Sequence, residues 1–348
     1  MKMKRYIFIT MALLALVSCT KDSVKEVSRC QVIDFHTAMT RASVTTTDNL
    51  QSIWVTATNE SETNYYTDLQ YNRNGNYFTS ETSYYWPSDG STLDFYAYAP
   101  SKDFLGGTLS IDNTAQTLTG FAPAAEISNQ VDFIVAKASG SKENAETGVE
   151  LIFDHALTQV EIKALNSNAG YTYKVKGVRI AKVASSGDFD FQTKLWTPSA
   201  TEKAEYRVEY ADARTLGTEA ISLMSTDGDN AMLIPQKLTA WDTDEKTNQS
   251  EGAFIAVLVN ITSSAGTQVF PSEAGAYEWI ATPIDTDWVR GFRYTYTLDL
   301  KEGGIVAPDV DPVDPEDPDP FGPGEDVLGG TVKFTATQSS WTNNYKNL

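Results

Sequence analysis

Short runs of alternating apolar and polar residues recur along nearly the whole chain after its N-terminal segment. Examples are residues 52–57 (SIWVTA), 93–98 (LDFYAY) and 294–300 (YTYTLDL). Successive side chains of a strand point to opposite faces, so this period of two indicates half-buried β-strands. Asn-Gly and Asp-Gly pairs at 74–75 and 89–90 are typical turn signals between such strands. The pattern predicts an all-β protein built from β-sandwiches.

Chain length and local composition predict two sandwiches followed by an extension. Roughly 260 residues between 42 and 303 suit two sandwiches better than one. The small polar stretch NSNAG at 166–170 is the weakest internal point, so we expect the junction there. The expected parts are an N-terminal sandwich over 42–168, a C-terminal sandwich over 169–305, a Pro/Asp-rich spacer over 306–327 and a tail over 328–348.

The spacer differs from the rest of the chain in composition. Residues 307–326 contain repeated Pro and Asp and no basic residue. Proline favours polyproline II and like charges repel, so we expect a semi-rigid segment that reaches about 60 Å at about 3.1 Å per residue. A calcium site is the alternative, although the segment lacks the loop glycine and the terminal Glu of a calcium hand.

The tail contains one more strand pattern. Residues 331–337 (TVKFTAT) alternate, with Val332, Phe334 and Ala336 on one face, and Trp341 follows. A strand at the end of a spacer has no neighbouring strand in the sequence. It must fold back onto its own domain or pair with another molecule.

The N-terminus has the pattern of an exported lipoprotein. A basic start (MKMKR) precedes an apolar run at 6–17 and the sequence LVSC at 16–19. The run is too short for a mature membrane span and predicts a signal peptide over 1–18. LVSC resembles a bacterial lipobox, which implies lipidation of Cys19 and attachment to the outer membrane. The alternative is an ordinary signal peptide with a chance cysteine.

Composition excludes several functions. The chain has 27 Lys and Arg against 46 Asp and Glu, for a formal net charge of −19, so nucleic acid is not an expected partner. Two Cys and two His are too few for a disulfide scaffold or for His-based zinc chemistry. Nucleophile-elbow, phosphate-loop and dinucleotide-binding motifs are missing. We therefore expect no enzyme, no cofactor and no metal site.

Several motifs together resemble the fimbrillin (type V pilin) family of Bacteroidetes-type bacteria. They occur in family order and read WP at 86–87, LDFYAYAP at 93–100, VDFIVA at 131–136, FDHALTQV at 153–160, MLIPQ at 232–236 and WVRGFRYTY at 288–296. The resemblance implies two transthyretin-like, Ig-like Greek-key sandwiches, export as a lipoprotein and assembly into pili. Its implied partners are neighbouring pilin subunits, tip and anchor subunits, and an arginine-specific protease.

The resemblance also implies a strand exchange. In that family the protease removes the lipidated segment with the first strand, and a C-terminal strand of the next subunit fills the groove. TRA at 40–42 matches the processing site, so we expect cleavage between Arg41 and Ala42, with Arg29 as the alternative. The propeptide would then be 19–41, and its removable strand would carry Ile33, Phe35 and Thr37 on one face. The expected donor strand carries Val332, Phe334, Ala336 and Trp341.

These observations predict a shaft subunit that is first lipid-anchored in the outer membrane and then part of an extracellular fimbrium. The alternative is a surface lipoprotein adhesin or glycan-binding protein that does not polymerise and whose tail completes its own sheet. Tyr84, Tyr85 and Trp86 are its candidate glycan contacts, although aromatic residues are also common in strands. His155 is expected to be a packed, hydrogen-bonded residue.

Overall fold

The computed structural model describes residues 32–39, 50–59, 64–224, 230–244, 247–248, 251–309, 321–329 and 332–341. These residues form 23 β-strands, one short α-helix (α1, Lys102–Leu105) and two 3₁₀ helices, Ile127–Asn129 and Lys142–Asn144. The predicted all-β fold class is therefore confirmed. No helix within these ranges is long and apolar enough to cross a membrane.

The first half of the chain contributes a closed sheet. Its strands are β1 (Phe35–Met39), β2 (Ser52–Thr58), β3 (Tyr66–Asn74), β4 (Tyr77–Thr79), β5 (Leu93–Ala99), β6 (Thr108–Ile111), β7 (Gln116–Phe121), β8 (Ile134–Gly140) and β9 (Val149–His155). Seven of them form a barrel in the order β1-β4-β3-β2-β5-β8-β9, and β1 also pairs with β9. Closure pairs both sides of each of these strands, which removes the free edges of the sheet.

The apolar residues of the alternating pattern fill the interior of this barrel. Ile53 and Val55 of β2 are fully buried, and so are Leu151 and Phe153 of β9, whereas the residues between them are more exposed. Each large apolar side chain buried in this way stabilises the fold by about 1.5–3 kcal/mol. The alternation thus fixes which face of each strand points into the barrel.

The second half forms a sandwich. Its strands are β10 (Thr158–Leu165), β11 (Tyr171–Ala184), β12 (Gly187–Asp190), β13 (Leu195–Pro198), β14 (Lys203–Thr215), β15 (Ile221–Ser222), β16 (Ala231–Leu233), β17 (Phe254–Ser263), β18 (Gln268–Phe270), β19 (Glu278–Pro283), β20 (Phe292–Asp299), β21 (Gly304–Val306), β22 (Asp326–Val327) and β23 (Lys333–Ser340). One sheet has the order β14-β11-β17-β19-β21-β22, and the other has the order β15-β10-β20-β23. Ile255, Trp288 and Tyr296 belong to the core of this half.

A further sheet connects the two halves. It has the order β13-β12-β7-β6, and Phe189 of β12 lies opposite Leu118 of β7. Tyr98, Phe133 and Phe189 belong to an apolar cluster that also includes Trp341 near the end of the chain. The halves therefore share buried surface, and the barrel and the sandwich support each other.

The strand pairing bears on the expected junction at residues 168 and 169. β10 precedes that point, but it pairs with β15, β16 and β20, all from the second half. β9, just before it, belongs to the barrel. We therefore move the proposed boundary to the connection at 156–157.

The two described ends of the spacer lie next to each other. The Val306 amide donates to the Glu325 carbonyl at 2.9 Å, and the Gly324 amide donates to the Val306 carbonyl at 2.9 Å. Residues 310–320 lie outside the described ranges, but the segments on either side of them meet in the β21–β22 hairpin. Backbone pairing therefore brings the two described ends of the spacer together, so the reach of about 60 Å that an extended segment could have is not used.

Side chains hold the start of the spacer as well. The Arg179 guanidinium donates to both carboxylate oxygens of Asp309, at 2.6 and 3.1 Å, and to Glu205 at 2.8 Å. The same guanidinium lies 4.6 Å from the centre of the Trp279 ring. A bidentate ion pair and a cation–π contact on a nearly buried arginine fix the acidic segment to the sheet.

Candidate functional site

β1 closes the barrel. It pairs in parallel with β9 over five positions, from Phe35 opposite Val149 to Met39 opposite Phe153. Its contact with β4 is shorter, with Phe35 opposite Phe78, and the Ile33 amide donates to the Tyr84 carbonyl at 2.8 Å. Without β1, the backbone groups of β4 and β9 that face this gap would lose their partners.

The side chains of this segment fill the barrel core. Ile33 and Phe35 are fully buried, and Thr37 is half-buried. The Phe35 ring makes edge-on contacts with Tyr71, at a centroid distance of 4.8 Å, and with Phe95, at 5.1 Å. Burial of these two large apolar side chains stabilises the closed form by about 3–6 kcal/mol at about 1.5–3 kcal/mol each.

The wall of the β1 slot includes buried tyrosines. Burial raises the pKa of Tyr71 well above its ordinary value, and burial is also the main cause of the raised pKa of Tyr66. The Tyr71 hydroxyl donates to the Tyr66 hydroxyl at 3.1 Å, so these polar atoms satisfy each other inside the apolar core. Water that entered an emptied slot would contact an apolar surface that β1 now covers.

Covalent attachment of β1 to the barrel runs through its C-terminal end. The segment that leads on to β2 lies outside the described residues, and so do the expected lipidation site Cys19 and the expected scissile bond between Arg41 and Ala42. That bond lies between β1 and β2 in the sequence. A single cut there would leave β1 held to the barrel by non-covalent contacts alone.

The tail strand β23 lies on the other half of the molecule. It pairs antiparallel with β20 over eight positions, from Lys333 opposite Asp299 to Ser340 opposite Phe292. The tail therefore completes a sheet of its own chain. Of the predicted apolar face, Val332 is buried, Phe334 is half-buried and Ala336 is exposed.

Trp341 anchors the end of this tail. The side chain is fully buried, and its ring stacks on His155 at a centroid distance of 4.0 Å and an angle of 9°. His155 Nδ1 lies 2.9 Å from Oδ1 of Asp132, and both residues are nearly inaccessible to solvent. His155 is thus packed and hydrogen-bonded, as expected. Its partner Asp132 was not foreseen, because the two are 23 residues apart and no local pattern links them.

The three candidate glycan contacts do not share an exposed face. Tyr85 is 52% exposed, but Trp86 is 6% exposed and packs edge-on against Phe95 at 5.9 Å. Tyr84 is half-buried beside Tyr66 at a centroid distance of 4.8 Å. Two of the three rings therefore belong largely to the barrel. In the part of the chain that the structure describes, no group of three or more His, Cys, Asp and Glu is arranged to hold a metal ion.

Comparison with known proteins gives the family. A family model described as fimbrillin-like matches residues 40–312. The match spans more than half of the chain, so this protein belongs to the fimbrillin-like family. The matched region begins after β1 and ends before β23, so the family assignment depends on neither strand.

A solved structure shares the fold. A fimbrial protein from Bacteroides vulgatus ATCC 8482 superposes with a TM-score of 0.59 at 15% identity, over 90% of this chain and 100% of that one. At this identity the likeness establishes the fold. The fimbrial anchor protein Mfa2 from Porphyromonas gingivalis matches with a TM-score of 0.34 at 10% identity, over 77% of this chain and 90% of that one. No curated protein matches this chain.

Truncation of Phe35 should destabilise the barrel. We expect Phe35→Ala in the full chain to lower the free energy of unfolding by about 3–5 kcal/mol, because the lost ring leaves a cavity between Tyr71 and Phe95. Urea unfolding followed by circular dichroism measures the change. The control is Phe104→Ala, which removes a ring that is 68% exposed and should cost less than about 0.5 kcal/mol. Equal shifts for the two variants would contradict the buried position of Phe35.

Loss of Trp341 should release the tail. We expect Trp341→Ala to cost about 3–5 kcal/mol and to speed amide hydrogen exchange along β23, because the ring is the most deeply buried part of the tail. Gln338→Ala is the control, since that side chain is exposed in the same strand and should change stability by less than about 0.5 kcal/mol. Unchanged exchange in the Trp341 variant would show that the backbone ladder alone holds β23.

Proposed function

We propose that this protein is a structural subunit of a cell-surface fimbrium, in its shaft, and that subunits join by strand exchange. Membership of the fimbrillin-like family supports a fimbrial role. One observation carries the finer proposal: the strand that closes the barrel is the first strand described, and it directly precedes the sequence TRA at 40–42.

Export and processing come first in this scheme. The precursor is lipidated at Cys19 and reaches the outer membrane. An arginine-specific protease then cuts between Arg41 and Ala42. The cut removes seven basic and three acidic residues, which takes the formal net charge from −19 to −23, and it removes both cysteines.

Release of β1 then opens a groove between β4 and β9 that can accept another strand. β9 loses a five-position ladder, and Tyr71 and Phe95 lose the ring of Phe35 between them. A backbone hydrogen bond contributes about 0.5–1.5 kcal/mol net to stability. Its loss costs more, about 1–3 kcal/mol, when the remaining donor or acceptor stays buried without a partner. The open barrel therefore favours any strand that restores both the ladder and the apolar side chains.

The tail of a neighbouring subunit matches that requirement. Val332, Phe334 and Ala336 have the same spacing as Ile33, Phe35 and Thr37, and each set has Phe at its centre. In the incoming strand Phe334 takes the position of Phe35. The shaft is thus a polymer of this chain, which further tip and anchor subunits complete.

The side chains of the tail strand itself are mostly exposed. Seven of the eight side chains of β23 are exposed, and Phe334 is the one that is half-buried. Most of its hold on the sandwich therefore comes from the ladder to β20 and from the buried residues at its two ends, Val332 and Trp341. In a neighbour's barrel the tail would exchange its eight-position antiparallel ladder for pairing in the place of β1, whose ladder to β9 is parallel and covers five positions. Burial of Phe334 in that slot would add to the pairing.

A second candidate function has its own supporting observation. The tail already pairs with β20 of the same chain, and Trp341 is buried in the shared core. A protein whose tail stays there would have no donor strand to offer. It would be a lipid-anchored surface adhesin that does not polymerise.

Proteolysis of the purified precursor separates the two functions. We expect an arginine-specific protease to give a product that begins at Ala42 and forms ladders on gels run without boiling. Arg41→Gln should abolish both the cleavage and the ladder, and Arg29→Gln should leave both intact.

A matched pair in the tail tests the donor face. Phe334→Asp should abolish the ladder, because a charge would enter the apolar slot, and Thr335→Asp should preserve it, because that side chain is on the opposite face. A cleaved product that stays monomeric favours the adhesin. A ladder that tolerates Phe334→Asp as well as Thr335→Asp rules out exchange through this strand.

A further inference from the structure

A cavity of about 490 Å³ lies on the outside of the barrel, beside β2 and α1. The residues that line it include Trp54 on β2 and Phe104 on α1. Trp54 points away from the barrel core, since its neighbours Ile53 and Val55 are the residues buried inside. Cavities of about 300–1,000 Å³ hold small ligands in many proteins. The volume suits one or two sugar rings.

The lining combines aromatic rings with uncharged polar groups. Its polar residues are Gln51, Ser52, Ser101 and Asn129. The Ser52 hydroxyl also donates to Asn72 at 2.7 Å, and the Ser101 hydroxyl accepts from the Asp103 amide at 3.4 Å. Amides and hydroxyls both donate and accept hydrogen bonds, so they suit a ligand that carries many hydroxyl groups. Among the described residues that line the cavity, none is charged.

The aromatic part of the cavity is fixed in place. The Trp54 ring stacks on Tyr98 at a centroid distance of 6.3 Å and an angle of 30°. The Tyr98 hydroxyl donates to Asp68, and Asp68 accepts an ion pair from Lys102 of α1 at 2.7 Å. This chain of contacts ties the helix that carries Phe104 to the strand that pairs with β2. A preformed site loses less conformational entropy when it binds a ligand.

Phe104 is the unusual member. Its side chain is 68% exposed, on a four-residue helix whose N-terminus is capped by Ser101. An exposed phenyl ring adds nothing to the core. Next to an indole ring and four polar groups, it offers a surface on which the C–H face of a pyranose ring can stack.

We propose that this cavity binds a neutral saccharide. Stacking on Trp54 and Phe104 covers the apolar faces of the sugar, and the exposed Asn129 amide bonds its hydroxyl groups. A sialylated or sulfated glycan would find no cation in the lining, since Lys102 is paired with Asp68. A purely apolar ligand would bury the Asn129 amide without replacing its hydrogen bonds to water.

This proposal is independent of strand exchange. The cavity involves neither β1 nor β23, so a monomer and a polymer would both carry it. The site also differs from the aromatic run at 84–86, which supplies no residue to the cavity lining.

A glycan array that contains neutral, sialylated and sulfated oligosaccharides tests the proposal on the purified full chain. We expect binding to neutral glycans, and we expect Trp54→Ala to weaken it by about tenfold or more, as titration calorimetry with the best neutral glycan would measure. Phe104→Ala should weaken it severalfold, and the exposure of Phe104 makes this variant safe for folding. Tyr85→Ala, which removes an exposed ring outside the cavity, should leave binding unchanged.

Three outcomes would overturn the proposal. One is the absence of binding to every neutral glycan on the array. Another is binding that Phe104→Ala and a folded Trp54→Ala leave unchanged. The last is binding that Tyr85→Ala abolishes, because the saccharide would then sit on the ring at the barrel surface instead of in the cavity.

Discussion

Closure of the barrel by β1 is the constraint on which the rest of this structure depends. The other six strands of the barrel follow one another through the first half, but the gap between β4 and β9 is filled by a strand from the start of the chain. That strand brings Ile33 and Phe35 into the core, where Phe35 contacts Tyr71 and Phe95. Its covalent attachment to the barrel is at one end, so a single cut there would leave this buried strand held by non-covalent contacts alone.

The tail strand β23, in contrast, lies at the edge of its sheet and is mostly exposed. β23 is bound along one edge by β20, most of its side chains face solvent, and its buried contacts are concentrated at Val332 and Trp341. Trp341 stacks on His155 in the core that the barrel and the sandwich share, so the end of β23 is coupled to the packing between the halves. Exchange of this strand must break the ladder to β20 and release Trp341, so pairing and burial in the acceptor have to replace both.

Local pattern predicted the strands, but not the way in which they join. The alternation in 52–57 and 93–98 predicted a strand at each place, because the period is a property of a short segment. The expected half-burial fails in β5, where Tyr96 and Tyr98 on the second face are buried in the core that joins the two halves. The pairing of β10 with β20, the His155–Asp132 contact and the return of the spacer through β21 and β22 connect distant residues. Proline and acidic residues suggested an extended spacer, and the backbone bonds and the Arg179 ion pair at its ends overrode that preference. Trp54 and Phe104 were missed as a pair because folding, not spacing, brings them to one cavity.

The N-terminal residue of the subunit at the cell surface tests the central claim most directly. Mass spectrometry of surface-exposed material should find a chain that begins at Ala42, which lacks Cys19 and the whole of β1. Polymers made of chains with that N-terminus would mean that the barrel closes with a strand from elsewhere. A surface form that begins at Cys19, or at any residue that leaves Ile33 and Phe35 in place, would contradict the account, because the slot would still be filled by its own strand.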